Sequence, residues 1–276
     1  MNPPVHSLAL LMILAGCASC RSCGATSGST ATYVAPERYV PTERELSPFV
    51  AALMDAHGMT NLDYLRVTFS FRGQAFDVRR EFGVFSYERT AEDRETVDTL
   101  TNDGFSRQWG GADIPLEPHV RGDLAESVNS VVYFAFLPYP LGDMAVQLQR
   151  EGQVTIDGRR LKRARVTFDE EGGGSDHDDE FYYWFDASSL ELVYMAYRYA
   201  RGEGGVRFRV AKNARRVGGV LFFDYDNFAY DDLAIDLADL PSRRAPESGP
   251  ALELLSEIVL DDVEVLPLRP DEEVLL

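Results

Sequence analysis

The feature that most constrains the fold is a change of hydrophobic period. Leu65-Arg66-Val67-Thr68-Phe69-Ser70-Phe71-Arg72 alternates apolar and polar residues without a break, which places Leu65, Val67, Phe69 and Phe71 on one face of a strand. Gly73 turns the chain, and the runs 76–81 and 84–89, with a weaker one over 96–109, continue as an antiparallel meander. Just before this, the period is helical: Ser47 is placed as an N-cap, Pro48 opens the helix, Phe49, Val50, Leu53 and Met54 recur at helical spacing, and Gly58 stops it. A second helix is expected over 123–136, closed by Leu137-Pro138. Strands return over 146–156 and 160–168 around an Asp157-Gly158 hairpin turn, then over 180–186, 190–200, 206–215 and 217–228. A polar, proline-containing loop over 231–250 precedes a last strand over 257–265. Roughly ten strands with two helices set into runs of strands define an α+β class dominated by antiparallel sheet.

The N-terminus constrains location. Residues Leu8 to Ala15 form an apolar stretch too short to span a bilayer as a helix, and Leu14-Ala15-Gly16-Cys17 follows the pattern of small residues before an obligatory cysteine. This resembles the cleavage site of bacterial lipoprotein signal peptidase and implies a signal peptide over 1–16 with lipid on Cys17. Residues 17–46, rich in Ser, Gly, Thr, Ala and Pro, read as a flexible stalk, and 47–276 as a single domain. Ala18 after the cysteine favours the outer membrane under the enterobacterial sorting rule, with the domain facing the periplasm or the surface. The formal charge of -18 lies wholly in the mature chain and argues against nucleic acid and against anionic headgroups as partners. Cys20 and Cys23 are read either as a local disulfide or as two inert thiols, without a metal.

The second half carries a recognisable pattern. Val128-Asn129-Ser130-Val131-Val132-Tyr133-Phe134 with Leu137-Pro138-Tyr139, the loop Glu171-Gly172-Gly173-Gly174 with Asp176 and Asp179, the strand ending in Trp184, Arg207-Phe208-Arg209 and Asp224-Tyr225 resemble an uncharacterised family of bacterial envelope lipoproteins. Ala56-His57-Gly58 is similar too, so that the resemblance spans about 49–228. A looser resemblance is to the lipoprotein-carrier fold of LolA and LolB. It implies a curved antiparallel half-barrel, covered by a few helices, whose concave face holds acyl chains.

Three clusters are candidates for chemistry. Phe181-Tyr182-Tyr183-Trp184-Phe185, with Tyr194, Tyr197 and Tyr199 on the next strand, puts rings on both sides of the sheet. These rings either fill a core or line a pocket for an apolar ligand, with Phe69, Phe71, Phe134, Trp184 and Tyr197 as the candidate lining. Arg207 and Arg209 share a strand face and are expected in salt bridges, the alternative being a ligand carboxylate or phosphate. The acidic run 169–180 is read as a solvated hairpin tip, with calcium as the alternative. No nucleophile elbow, His-Glu-x-x-His, Walker loop or dinucleotide fingerprint occurs. No catalytic residue, metal ligand or cofactor is therefore assigned, and the expected role is a non-enzymatic lipoprotein that binds a lipid or other hydrophobe, or alternatively a structural or protein-interaction module.

Overall fold

The computed structural model describes residues 46–81, 83–169, 179–200 and 204–268. The signal segment, Cys17, Cys20, Cys23, the stalk up to residue 45 and the acidic-loop residues 170–178 lie outside them. Among the described residues the chain runs α1 (Pro48–Ala56), β1 (Leu65–Phe71), β2 (Gln74–Glu81), β3 (Val84–Thr90), β4 (Thr96–Thr101), β5 (Gly104–Trp109), β6 (Ala112–Asp113) and α2 (Pro118–Ala135). There follow β7 (Val146–Ile156), β8 (Arg159–Phe168), β9 (Glu180–Asp186), β10 (Leu192–Tyr199), β11 (Gly205–Val217), β12 (Val220–Tyr230), β13 (Glu253–Ile258) and β14 (Asp261–Pro267). The class is α+β with antiparallel pairing throughout, as the alternation predicts. The span 47–276 holds two compact units: Asn61–Ala135 with the segment from Leu260, and Phe136–Val259 with the segment ending at Thr60.

The first unit is built on an open sheet ordered β14-β1-β2-β3-β4-β5-β6. Its register pairs Phe69 with Phe76, Val67 with Val78, Val78 with Tyr87, Tyr87 with Leu100 and Leu100 with Phe105, so one apolar stripe crosses five strands. Helix α2 covers that stripe with Ala125, Val128, Val131, Val132 and Ala135, which recur at three- and four-residue spacing. The helix begins at Pro118, five residues before the expected start. Proline suits a first helical turn, and Arg121 N–H already bonds the Glu117 carbonyl (2.9 Å) ahead of the apolar pattern. The run 96–109 is two strands, because Asn102 stops it: its side chain accepts from Phe85 N–H (2.8 Å) and donates to the Gly83 carbonyl (2.9 Å).

The polar positions on this stripe are buried together. Arg89 is opposite Asp98, Asp98 is opposite Arg107, and the carboxylate takes bonds from both guanidiniums while Arg89 also donates to Ser127 on α2. Arg89 and Asp98 are buried, so their charges are stable there only as a hydrogen-bonded group.

The second unit has the order β13-β12-β11-β10-β9-β8-β7, also open at both ends. The expected hairpin stands at Asp157-Gly158, both residues with positive φ (50° and 73°), which is the backbone of a type I′ turn. Helix α1 starts where expected, with Ser47 Oγ accepting from Val50 N–H (3.3 Å). Its C-terminus is pinned by His57, which is fully buried. Nδ1–H donates to the Leu53 carbonyl (2.8 Å), Nε2 accepts from Leu192 N–H (3.3 Å), and the His57 carbonyl accepts from Leu221 N–H (2.8 Å). Burial lowers its pKa from 6.5 to about 4. Gly58 at φ +69° has no room for a side chain, since a Cβ there would stand 2.1 Å from the Gly219 carbonyl oxygen.

Two expectations for the C-terminal part need correction. The loop 231–250 contains a 3-10 helix, Leu237–Arg244, which buries Leu237, Leu240 and Pro241. Three apolar residues within polar sequence, one of them the proline at 241 inside the turn, are too few to make an amphipathic period that can be read. The last strand, expected as one over 257–265, is two strands, β13 pairing with β12 and β14 pairing with β1.

Candidate functional site

Strands β9 and β10 carry the aromatic run, and their register separates it cleanly. Trp184 opposes Tyr194 and Tyr182 opposes Ala196 on one face; Tyr183 opposes Met195 and Phe181 opposes Tyr197 on the other. All five central residues of β9 are buried, so both faces of this sheet are covered.

On the first face, Trp184, Tyr182, Tyr194, Phe208 and Tyr230 form a basin into which Ile235, Leu237 and Leu240 insert. Polar clasps hold the inserted segment. Arg198 donates to the Leu233 (2.8 Å) and Ile235 carbonyls and pairs with Glu180 (2.9 Å), and Arg244 pairs with Asp157 (2.6 Å) while donating to Tyr194 (3.1 Å). Tyr182 donates to Glu151 (3.1 Å), and burial reinforced by that carboxylate pushes its pKa up to about 12. Trp184 Nε1–H is enclosed without an acceptor.

The second face carries a ladder of rings. Phe185, Tyr183 and Phe181 follow one another at 6.1 Å steps, Phe181 stacks on Tyr197 at 5.2 Å, and Tyr197 meets Tyr199 at 6.2 Å. At the β11 end, Arg207 opposes Tyr197, and Arg209 opposes Met195 on β10 and Asn227 on β12. Arg209 is 3% exposed, lies over the Tyr197 ring, and donates to the Tyr197 hydroxyl (2.9 Å) and Asn227 Oδ1 (3.4 Å). Arg207 lies over the Tyr199 ring and donates to its hydroxyl (2.9 Å) and to the Val206 carbonyl (2.9 Å). The expected salt bridge is not found at Arg207: among the described residues no carboxylate pairs with it. Among the described residues its partners are a neutral hydroxyl and its own strand's carbonyl, because the register sets tyrosines beside it. Burial raises the pKa of the Tyr199 hydroxyl, and that of Tyr225 also, against the opposing pull of Arg207 and Arg209 respectively.

The structure distributes the candidate lining residues as follows. Phe69 and Phe71 are buried on β1 of the first unit, with Phe69 stacked on Phe76 at 5.0 Å, and Phe134 is half-buried on α2 beside Tyr133. Trp184 and Tyr197 belong to the second unit and lie on opposite faces of its sheet. Tyr199 was missed as a partner of Arg207, although its parity with Tyr197 was readable in the sequence. His57 is occupied at both ring nitrogens, and His119 is exposed in the first turn of α2. No group of three potential metal ligands occurs among the described residues, and none of their helices is long and apolar enough to cross a membrane. The calcium question falls on residues 170–178, outside the described set.

These sheets define the class, an α+β protein of open antiparallel sheets with helices laid on them. Residues 120–246 match a family of unknown function, DUF6503, which bears out the resemblance to an uncharacterised family in the second half of the chain. The match covers α2 from Val120 onward and most of the second unit, whereas the resemblance extends back to residue 49. No curated protein matches the sequence. Among solved structures, a LolA superfamily protein from Nitrosomonas europaea is similar at 12% identity and TM-score 0.42, over 82% of this chain and 97% of that one. The lipoprotein LppX from Mycobacterium tuberculosis is similar at 16% identity and TM-score 0.25, over 56% of this chain and 89% of that one. A putative outer membrane lipoprotein-sorting protein domain from Vibrio parahaemolyticus is similar at 7% identity and TM-score 0.25, over 63% of this chain and 86% of that one.

Proposed function

We propose that this protein is a non-enzymatic lipoprotein of the bacterial envelope, held to the outer membrane by lipid on Cys17, whose second unit binds a lipid or another apolar molecule. The observation that carries this reading is the ladder Phe185, Tyr183, Phe181, Tyr197 and Tyr199, which runs along one sheet face and ends beside two guanidiniums. Apolar ligand sites are lined in this way, with many rings and a few polar groups that fix orientation. The lipobox supports the address, since lipidated chains meet free lipid at the membrane they are anchored to. The absence of catalytic motifs from the sequence supports binding rather than turnover.

The test is native mass spectrometry and lipid extraction of full-length protein purified from membranes. Co-purifying lipid in stoichiometric amount, beyond the mass added at Cys17, is expected; its consistent absence overturns the reading. A second reading, a protein-interaction module, is favoured by Trp109, 55% exposed on β5, and Ile114, 39% exposed just past edge strand β6. Cross-linking that recovers one defined envelope protein through that edge, with no bound lipid, would establish it instead.

A further inference from the structure

The second sheet treats its arginines unevenly. Arg159, Arg163, Arg165, Arg198 and Arg215 each pair with a carboxylate. Arg207 pairs with none among the described residues, although the chain holds 45 acidic residues against 27 basic ones. Its Nε–H is enclosed without an acceptor, and its terminal nitrogens reach only the Tyr199 hydroxyl and the Val206 carbonyl. The tyrosine is given room there: Tyr199 opposes Gly205, and a Cβ at residue 205 would collide with the Tyr199 hydroxyl. Only glycine lets that hydroxyl lie over the β11 backbone and meet Arg207. Asp179 is the carboxylate that bears on Tyr199, and its Oδ1 accepts from Ala200 N–H (3.2 Å). The result is a guanidinium and a hydroxyl, fixed side by side at the end of an aromatic ladder.

We propose that Arg207 and Tyr199 are the seat for the anionic headgroup, carboxylate or phosphate, of an amphiphile whose apolar part is bound by the ring-bearing face of the same sheet. A guanidinium offers planar, paired donors to such oxygens, and the tyrosine hydroxyl, whose oxygen accepts from Arg207, keeps its O–H as a further donor. Arg209, one pleat further along the same face and bonded to Tyr197, adds positive potential behind the seat. This inference rests on the ligand-binding reading above and names the headgroup chemistry it would select.

Calorimetry on the delipidated full chain separates the two claims, using oleate, dioleoyl phosphatidate, methyl oleate and inorganic phosphate as probes. The charged amphiphiles are expected to bind about tenfold or more tightly than methyl oleate, the gain of one charge-assisted hydrogen-bonded contact. Oleate favoured over phosphatidate identifies a carboxylate seat and the reverse a phosphate seat. Arg207→Gln is expected to abolish the preference, bringing oleate down to the affinity of methyl oleate, and Arg159→Gln, which removes an exposed ion pair elsewhere, to preserve it. Should Arg207→Gln fold poorly, Arg207→Lys is expected to weaken the preference, and the comparison of oleate with its methyl ester in the wild type still decides. Equal binding of ester and acid overturns the headgroup seat alone. No binding by any amphiphile overturns the ligand-binding reading itself. Inorganic phosphate binding as tightly as the amphiphiles overturns the assignment to an amphiphile.

Discussion

The two sheets hold arginine in opposite ways. In the first, Arg89 lies beneath α2 with its charge cancelled by Asp98, which also serves Arg107, and Ser127 completes the group. In the second, Arg207 meets a tyrosine ring and hydroxyl and no described carboxylate. A guanidinium closed in by its own counter-ion has spent its capacity for an anion, whereas one set against neutral hydroxyls has kept it. The first arrangement fastens a helix to a sheet. The second is what a binding site requires.

If that contrast is right, the largest effect on stability comes from the first sheet. Asp98→Asn leaves Arg89 buried without its counter-ion and is expected to cost about 3–5 kcal/mol, read by urea denaturation. A loss under about 1 kcal/mol would break the comparison at its firmer end.

The helix fastenings differ as well, and pH tells them apart. Helix α1 is pinned by neutral His57, with its pKa lowered from 6.5 to about 4. The unfolded chain takes up this proton near 6.5 and the folded chain only near 4, so the contribution is complete above the upper value and is lost as pH falls between the two. The total is about 3 kcal/mol. Asp77 and Asp186, whose pKa values lie below the ordinary 3.8, begin to lose their contribution only as pH falls through that value, which leaves the higher window to His57. Melting temperature followed from pH 7 to 4 is expected to fall in the wild type, with a flatter profile in His57→Gln on a lower baseline; parallel profiles would contradict the role given to His57.

Smaller effects sharpen the picture. Ser47→Ala removes the N-cap of α1 and is expected to cost about 1 kcal/mol, with the change confined to the midpoint of denaturation. Arg207→Gln is expected to cost no more than about 1 kcal/mol, because it removes a bond to a neutral hydroxyl and no described ion pair. A loss as large as that of Asp98→Asn would mean that Arg207 is structural after all.

Much of this was legible in the sequence, for definite reasons. The alternation of β1 placed Val67, Phe69 and Phe71 on the covered face, Ser47-Pro48 set the start of α1, and Asp157-Gly158 set a hairpin. The Leu237–Arg244 helix was not legible, because two leucines and a proline in polar sequence form no amphipathic stripe until the aromatic basin receives them. Arg207 and Arg209 were recognised as sharing a face from parity alone. Their partners were not, since parity within one strand does not tell which residue of the next strand stands opposite. Pairing Tyr197 with Arg207 and Tyr199 with Gly205 is a matter of register, set by the whole sheet. For the same reason Trp184 and Tyr197, both read as lining residues, turn out to face opposite ways.

The most direct test of the central claim sets ligand against stability in a single variant. Melting temperature is measured for wild type and Arg207→Gln, each with and without saturating oleate. A ligand bound only by the folded chain raises that temperature in proportion to its affinity. The account predicts a rise in the wild type that is largely lost in Arg207→Gln, while the two proteins melt within a few degrees of each other without oleate. An equal rise in both, or none in either, would contradict it.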